Sequence, residues 1–544
     1  MPGNRVLRRG RPASALLALA VITASLPGAW ARSSAPPQPR SQPAASASNA
    51  SAINRISSAV DHGDLEHAES DLWVLLGRHP NQAEALNLLG IIRGKQQRYA
   101  EAEALFRRTI ALQKDFLGAY LNLAATHRAQ GDLAAATGTY ESAVKIFSRD
   151  SRLAAQLASA YLAQRQYPQS LAALASFSPG SLPVEAFPVL ITDYLQLHEL
   201  SRARELVAIA GLRFPRNQHL RTGLAELFLS AGMMDEAEKI LRQGAGAPAR
   251  SGGGNDAGSL YIAGKIHMAR GNNAAAEQTW RRALGLDPSS VPVRLSLAAL
   301  AAQQKQYPRA LELLDAAEKL SPNSPEVLRD QVITSLRAGK NERASAAAGK
   351  LLRAGGENPD NLFVAGVAAL QLEKWDIAQR LVRQYLAANP RDAHAHLALG
   401  IAYLNQQDLA HAQAEMKRCL ELDSGETEAE FQLAMVSRAQ GDNAAAITGL
   451  KHVVAAQPRN ARAFSVLGTL YLQAGDEAQA QAALERSAGF DPTIPETQYQ
   501  LSLLYHRLGN TDRARQHLAQ FHQLQKSATQ PDAAPSSPAP SEPR

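Results

Sequence analysis

The chain has 544 residues, 45% apolar but only 5% aromatic, a formal charge of +7 and one cysteine. This is ample material for an alanine-rich helical core, and a lone cysteine excludes an intramolecular disulfide framework. Four of the basic residues are Arg5, Arg8, Arg9 and Arg11; without them 53 basic residues face 50 acidic ones, which excludes the concentrated basic patch of a nucleic-acid binder.

Residues 1–31 read as a signal peptide. The basic stretch "RVLRRGR" precedes the apolar run "ASALLALAVITA", and "AWA" at 29–31 offers small residues at both cleavage-defining places. An uncleaved anchor is the alternative, but the run is short for a bilayer span. No cysteine follows it to carry a lipid. The expected product is therefore exported, to the periplasm or beyond, after cleavage near Ala31. Residues 32–48, rich in Ser, Ala, Pro and Gln, read as a disordered linker, and residues 528–544 as a disordered Pro/Ser/Ala tail.

Between linker and tail the chain repeats itself. Prolines 288, 322, 390, 458 and 492 each close a similar phrase, at intervals of 34 residues or twice that. Eight units start at 257, 291, 325, 359, 393, 427, 461 and 495 without an insertion. Upstream units start near 83, 117, 151, 184 and 218, with one residue deleted, and a weaker first unit covers 49–82. The organisation expected is an N-terminal array over 49–244, a Gly-rich insertion over 245–256 and a C-terminal array over 257–527.

Within a unit the apolar places form two helical faces. In the unit from 393 they are His396, Leu399, Gly400 and Tyr403, then Ala412, Met416 and Cys419, with "NQQD" between. Each unit is a helical hairpin, and the chain is all-α. The small residues at the eighth place (Gly264, Gly366, Gly400, Gly468) and the twentieth (Ala276, Ala378, Ala412, Ala480) mark the helix crossing. A large residue at the twenty-fourth (Trp280, Phe106, Tyr140) fills the gap beside it, and Ala283 leaves room for the next hairpin. Proline ends the second helix, since it lacks an N–H and clashes with the preceding turn.

The period and these small-residue places resemble the tetratricopeptide repeat (TPR) family over most of the chain. Departures are Ser170 for the second-helix alanine, Gln331 at a core place, and Leu75 and Leu351 at the twenty-seventh. The resemblance implies a right-handed superhelical solenoid of about fourteen stacked hairpins with a concave inner groove. One hairpin cannot bury both faces, so stacking supplies a continuous core.

No chemistry emerges. The Gly-rich segment 244–258 lacks the lysine and hydroxyl of a phosphate loop and follows no strand. His394 and His396 are two apart on a helix and diverge, one toward the core and one toward the groove. Cys419 occupies a small-residue core place without a partner base. No catalytic residue, cofactor site or metal site is nominated, and the repeats leave no stretch for a glycosyltransferase or barrel domain.

The leading expectation is a non-catalytic scaffold of the cell envelope that binds a protein or peptide in its groove. The alternative is a periplasmic assembly or export component, for example of a polysaccharide or protein secretion machine; an enzyme is the third. Phe521 and Leu524 in the final helix suit either a polar-enough cap or a dimer edge, so the oligomeric state stays open. The resemblance places groove residues at positions 2, 5, 9, 12 and 13 of the first helix. The lysine–asparagine set of a carboxylate clamp is not found together, and the asparagine ladder at position 6 survives only as Asn122. Positions 5 and 9 of three successive units carry Phe363 and Val367, Leu397 and Ile401, and Phe431 and Met435. As a patch these six would bind an apolar or amphipathic segment; otherwise they tuck against neighbouring first helices and stiffen the array.

Overall fold

The computed structural model describes residues 45–243, 256–355 and 358–529. The signal read over 1–31, the linker as far as residue 44, the Gly-rich stretch 244–255 and the tail from 530 lie outside them. Among the described residues there are 28 α-helices, one 3-10 turn at Pro179–Ser181 and no strand. The helices pair into fourteen hairpins. First helices begin at Ala83, Leu117, Ser151 and Gln218, and then at every 34th residue from Ala257 to Pro495, as the period predicts. The earliest helix, Ala45–His62, starts inside the stretch read as linker. The chain forms two compact units that meet in sequence at Val293 and Arg294, and each is a stack of hairpins.

The turn inside each hairpin has one design. Place fifteen has positive φ in all fourteen: glycine in eight, such as Gly131 (φ 78°) and Gly475 (φ 79°), and Gln97, Arg165, His198, Lys305, Glu373 or Gln407 in the others. That residue ends the first helix. In the hairpin from 393, Gln407 N–H donates to Leu404 C=O at 3.1 Å and Asp408 N–H to Tyr403 C=O at 2.9 Å, satisfying carbonyls the helix leaves open. Place sixteen then starts the second helix. Asp132, Asp408, Asp442 and Asp476 accept from the backbone N–H three residues on. "QGD" is thus a stop and a start in adjacent residues.

The crossing is as close as its small residues suggest. Ala276, Ala378, Ala412 and Ala480 are fully buried, as are Trp280 and Phe106. A Cβ on Gly264 would lie 2.3 Å from the Trp280 ring, and one on Gly468 would lie 2.6 Å from Leu484 Cγ. The Trp280 ring cannot swing away freely, because its Nε1 donates to the Tyr261 carbonyl at 3.0 Å.

One stretch departs from this plan. The second helix of the hairpin from 151 is only Tyr167–Leu174, eight residues where most second helices have fourteen, and the next first helix begins late, at Ala186. Ser170, at the alanine place of this crossing, is fully buried and donates to the Ala158 carbonyl at 2.9 Å. Gln331 is also buried; its Nε2 lies 3.0 Å from Glu318 and 3.3 Å from Asp315, so that polar intrusion is satisfied.

Candidate functional site

The first helices from 393, 427, 461 and 495 present the same face to one open concavity of about 460 Å³. Its floor is apolar: Ile401 and Leu404 from the first of these helices, Phe431 and Met435 from the second, Val466 from the third, and Ile494 from the joint before the fourth. These helix residues hold places five, six, nine and twelve. Helical periodicity puts such places on one side, and the 34-residue repeat brings that side round again in each hairpin.

Polar groups edge the floor. Arg462 lies with its guanidinium carbon 4.9 Å from the centroid of Phe431, a cation–π contact that holds the ring and its lining wall together. The same guanidinium is 4.0 Å from Glu428, whose nearly buried carboxylate accepts from Gln432 Nε2 at 2.8 Å. Asn405 turns its amide onto its own helix, donating to the Ile401 carbonyl at 2.8 Å. Arg438 and Glu496 are exposed at the rim. The arrangement offers apolar area with hydrogen-bonding and charged edges, and no nucleophile with a base.

The six residues singled out by sequence divide. Ile401, Phe431 and Met435 line the concavity. Val367 and Leu397, 0% and 1% exposed, are core of the cluster joining the hairpins from 359 to 427. Phe363 is half-buried with its ring 4.8 Å from that of Tyr385. An open patch of six is therefore corrected: Ile401 and Phe431 are themselves only 3% and 5% exposed, because adjacent first helices close over the sides of these side chains. Val367 and Leu397 take the tucked arrangement; Met435 keeps a half-open surface.

Sequence reasoning passed over Val466, Arg462 and Ile494. Val466 holds place six, where the resemblance points to an asparagine, and Ile494 sits in a joint, outside the first-helix places. The surviving rung, Asn122, is buried and donates to Asn87 at 3.1 Å, a closed pair inside the array.

The remaining chemistry-bearing residues have structural partners. His396 Nδ1 is 2.6 Å from Glu415 and its Nε2 is 3.2 Å from the Pro390 carbonyl, while His394 lies 3.6 Å from Glu426. Both rings are half-buried, so neither is the fully buried core histidine expected. Burial, with nearby carboxylates adding to it, pushes the Cys419 thiol up to about 12, the opposite of a nucleophile's requirement. Among the described residues no group of three His, Cys, Asp or Glu is placed to hold a metal ion, and no helix is long and apolar enough to cross a membrane.

Family models described as tetratricopeptide repeat match residues 53–115, 91–151, 189–251, 262–325, 363–426, 437–496 and 495–520. Over 301 residues the chain is 28% identical to the cellulose synthase operon protein C of Pseudomonas fluorescens (strain SBW25), covering 54% of this chain and 21% of that protein. The protein of the same name from Xanthomonas axonopodis pv. citri (strain 306) is 25% identical over 297 residues, 52% of this chain and 17% of its own length. The chain thus spans about a fifth of the length of these relatives. Among solved structures, a chain of the APC/C hetero-tetramer Cut9–Hcn1 is similar with a TM-score of 0.40 and 14% identity, over 83% of this chain and 95% of that one.

Proposed function

The chain belongs to the tetratricopeptide repeat family, and on that premise we propose that it is a non-catalytic scaffold that captures an apolar or amphipathic segment of another protein. The seat of capture is the concavity of the hairpins from 393 to 495. One observation carries this: Met435 and Val466, half-buried beside the buried Ile401 and Phe431, leave apolar surface accessible within a walled recess. Such surface gains free energy when another apolar group covers it, by about 25 cal/mol for each Å² removed from water. Because most of that gain is apolar, binding should resist salt.

The test uses the immobilised protein and a library of twelve-residue peptides. Capture of apolar or amphipathic sequences should persist from 0.15 M to 1 M salt, and Met435→Glu or Val466→Glu should weaken it at least tenfold with little change in melting. Capture that these variants leave untouched would remove the concavity as the seat.

A second reading is an exported component of an envelope assembly, such as a polysaccharide secretion machine. It is favoured by the likeness to two proteins named for a cellulose synthase operon. The signal read over residues 1–31 and the exported location near Ala31 belong to the same proposal. Purification from the native envelope distinguishes the readings: a membrane-protein partner supports assembly, a soluble segment supports capture. A mature N-terminus at Arg32 supports export in either case, and one at Met1 opposes it.

A further inference from the structure

Asp193 stands at the tenth place of the hairpin counted from residue 184. In other hairpins that place holds Ile92, Ile266, Val436 or Leu470. The residue is 0% exposed, and neither carboxylate oxygen has a hydrogen-bond partner. Its helix, Ala186–Gln196, feeds Phe187, Leu190, Ile191 and Leu195 into the surrounding apolar cluster. The nearby Ser170 hydroxyl has one proton, which it gives to the Ala158 carbonyl and can turn toward Asp193 once that carboxyl is ionised.

No ion pair compensates the burial. Four helices pack against Ala186–Gln196, and their ionisable groups are engaged or turned to solvent. On Ser151–Ala163, Tyr161 donates to Glu141 and Arg152 is exposed; Tyr167, half-buried, begins the short helix. On Leu200–Arg213, Arg202 pairs with Glu199, Arg204 with Glu236, Arg213 donates to the Leu182 carbonyl, and Glu205 is exposed. On Gln218–Ser230, Arg221 lies near Asp256, Glu226 pairs with Lys265, and His219 is exposed. On its own helix and its start, Tyr194 stacks with Arg202 and Glu185 is exposed.

An ionised carboxylate in such surroundings lacks both water and a counter-charge, and a structure relieves it by taking up a proton or by opening. Opening is easiest where the fold is thinnest. Here the partner helix Tyr167–Leu174 has lost six residues against its fourteen-residue counterparts, and the joint to Ala186 is eleven residues long.

We propose that Asp193 is a pH-sensitive latch on the joint between the hairpins from 151 and 184: protonated, it leaves the joint closed, and when its proton passes to solvent the ionised form favours local opening. Burial pushes the carboxyl up to about 7 in the closed state, against a smaller opposing pull from the Ser170 hydroxyl; in the open, hydrated state it returns toward 3.8. The sign follows. The closed state binds the extra proton between these values, so closure is favoured most below about pH 4. The opening equilibrium then rises by about tenfold per pH unit until about pH 7 and is level beyond.

Hydrogen exchange of the full chain at pH 5, 6, 7 and 8, with times scaled to intrinsic exchange rates, tests this. Protection over residues 167–196 should fall by about fiftyfold from pH 5 to pH 7, while residues 393–422 show no such slope. Asp193→Asn and Asp193→Thr should abolish the slope; threonine already serves at the equivalent place as buried Thr126. A flat wild-type profile, or a slope that survives in either variant, overturns the latch. Should neither variant fold, Ser170→Ala decides: removing the hydroxyl's pull must move the end of the slope to higher pH, and an unmoved profile counts against the proposal.

Discussion

The hairpins from 393 to 507 and those from 151 to 213 share one plan but handle buried polarity in opposite ways. In the first region Glu428 and Gln432 are buried yet bonded to one another, next to Arg462, at the edge of a concavity. In the second, Asp193 sits among the residues of the apolar cluster with no hydrogen bond to either oxygen. The first region keeps four-residue joints and fourteen-residue second helices up to its last hairpin; the second has one short helix and one long joint. A stack in which each hairpin rests chiefly on its neighbours can carry such a fault without spreading it, since stability is roughly a sum of local terms. Regularity serves where a surface must be continued from hairpin to hairpin. Irregularity is tolerated where no such surface runs.

The largest effect that would sharpen this contrast is expected at Phe431. Its ring is buried, so Phe431→Ser should cost about 3 kcal/mol by urea unfolding, whereas Met435→Ser should cost less than about 1 kcal/mol. Similar costs would mean that the wall and the open floor of the concavity are not different. Next comes the crossing. Ala412→Leu should destabilise by about 1–3 kcal/mol, while Ala414→Leu, exposed on the same helix, changes little. At the equivalent crossing of the irregular region, Ser170→Ala restores the usual residue and should change stability at pH 5 by no more than about 1 kcal/mol. A larger loss would show that the serine bond to Ala158 holds that crossing together.

A smaller, kinetic contrast concerns Cys419. Buried in the regular region with its thiol held up to about 12, it should resist a thiol reagent at pH 8 until the hairpin unfolds. Rapid labelling of native protein would show the regular region to be the looser one. The smallest effect is one on which both regions should agree. Gln407→Gly and Arg165→Gly relieve a positive φ at the same turn place, and each should raise stability by up to about 1 kcal/mol.

Much of this architecture was legible because a 34-residue period repeats its own evidence. Gly264, Ala276 and Trp280 recur in kind from unit to unit, so twelve of the fourteen hairpin starts could be read to the residue, the exceptions being those at Ala45 and Ala186. The concavity was legible only in part, for a physical reason. Places five and nine face inward from a single helix, but whether a side chain there is wall, floor or core depends on the next hairpin's first helix. Leu397 and Ile401 are four residues apart on one face, and only Ile401 reaches the concavity. Asp193 is the reverse case: place ten is a buried apolar place in other hairpins, held by Ile92 or Val436, but the letters "LIT", D, "YLQ" do not tell whether the carboxylate there finds a partner.

The turns carry a further consequence, for how such a chain can change in length. From the second hairpin on, every hairpin joins its helices through three residues; the exceptional connections, such as 175–185, all lie between hairpins. One residue added at a turn would rotate the following helix by about 100° and send its alanine away from the crossing. The same residue added between hairpins is absorbed outside the close contact. Grafts and tags should therefore be tolerated at the exposed residues 178–181 of the joint 175–185 and refused at Lys305 or Gln407. Whole hairpins are the natural increment by which an array of this kind grows or shrinks.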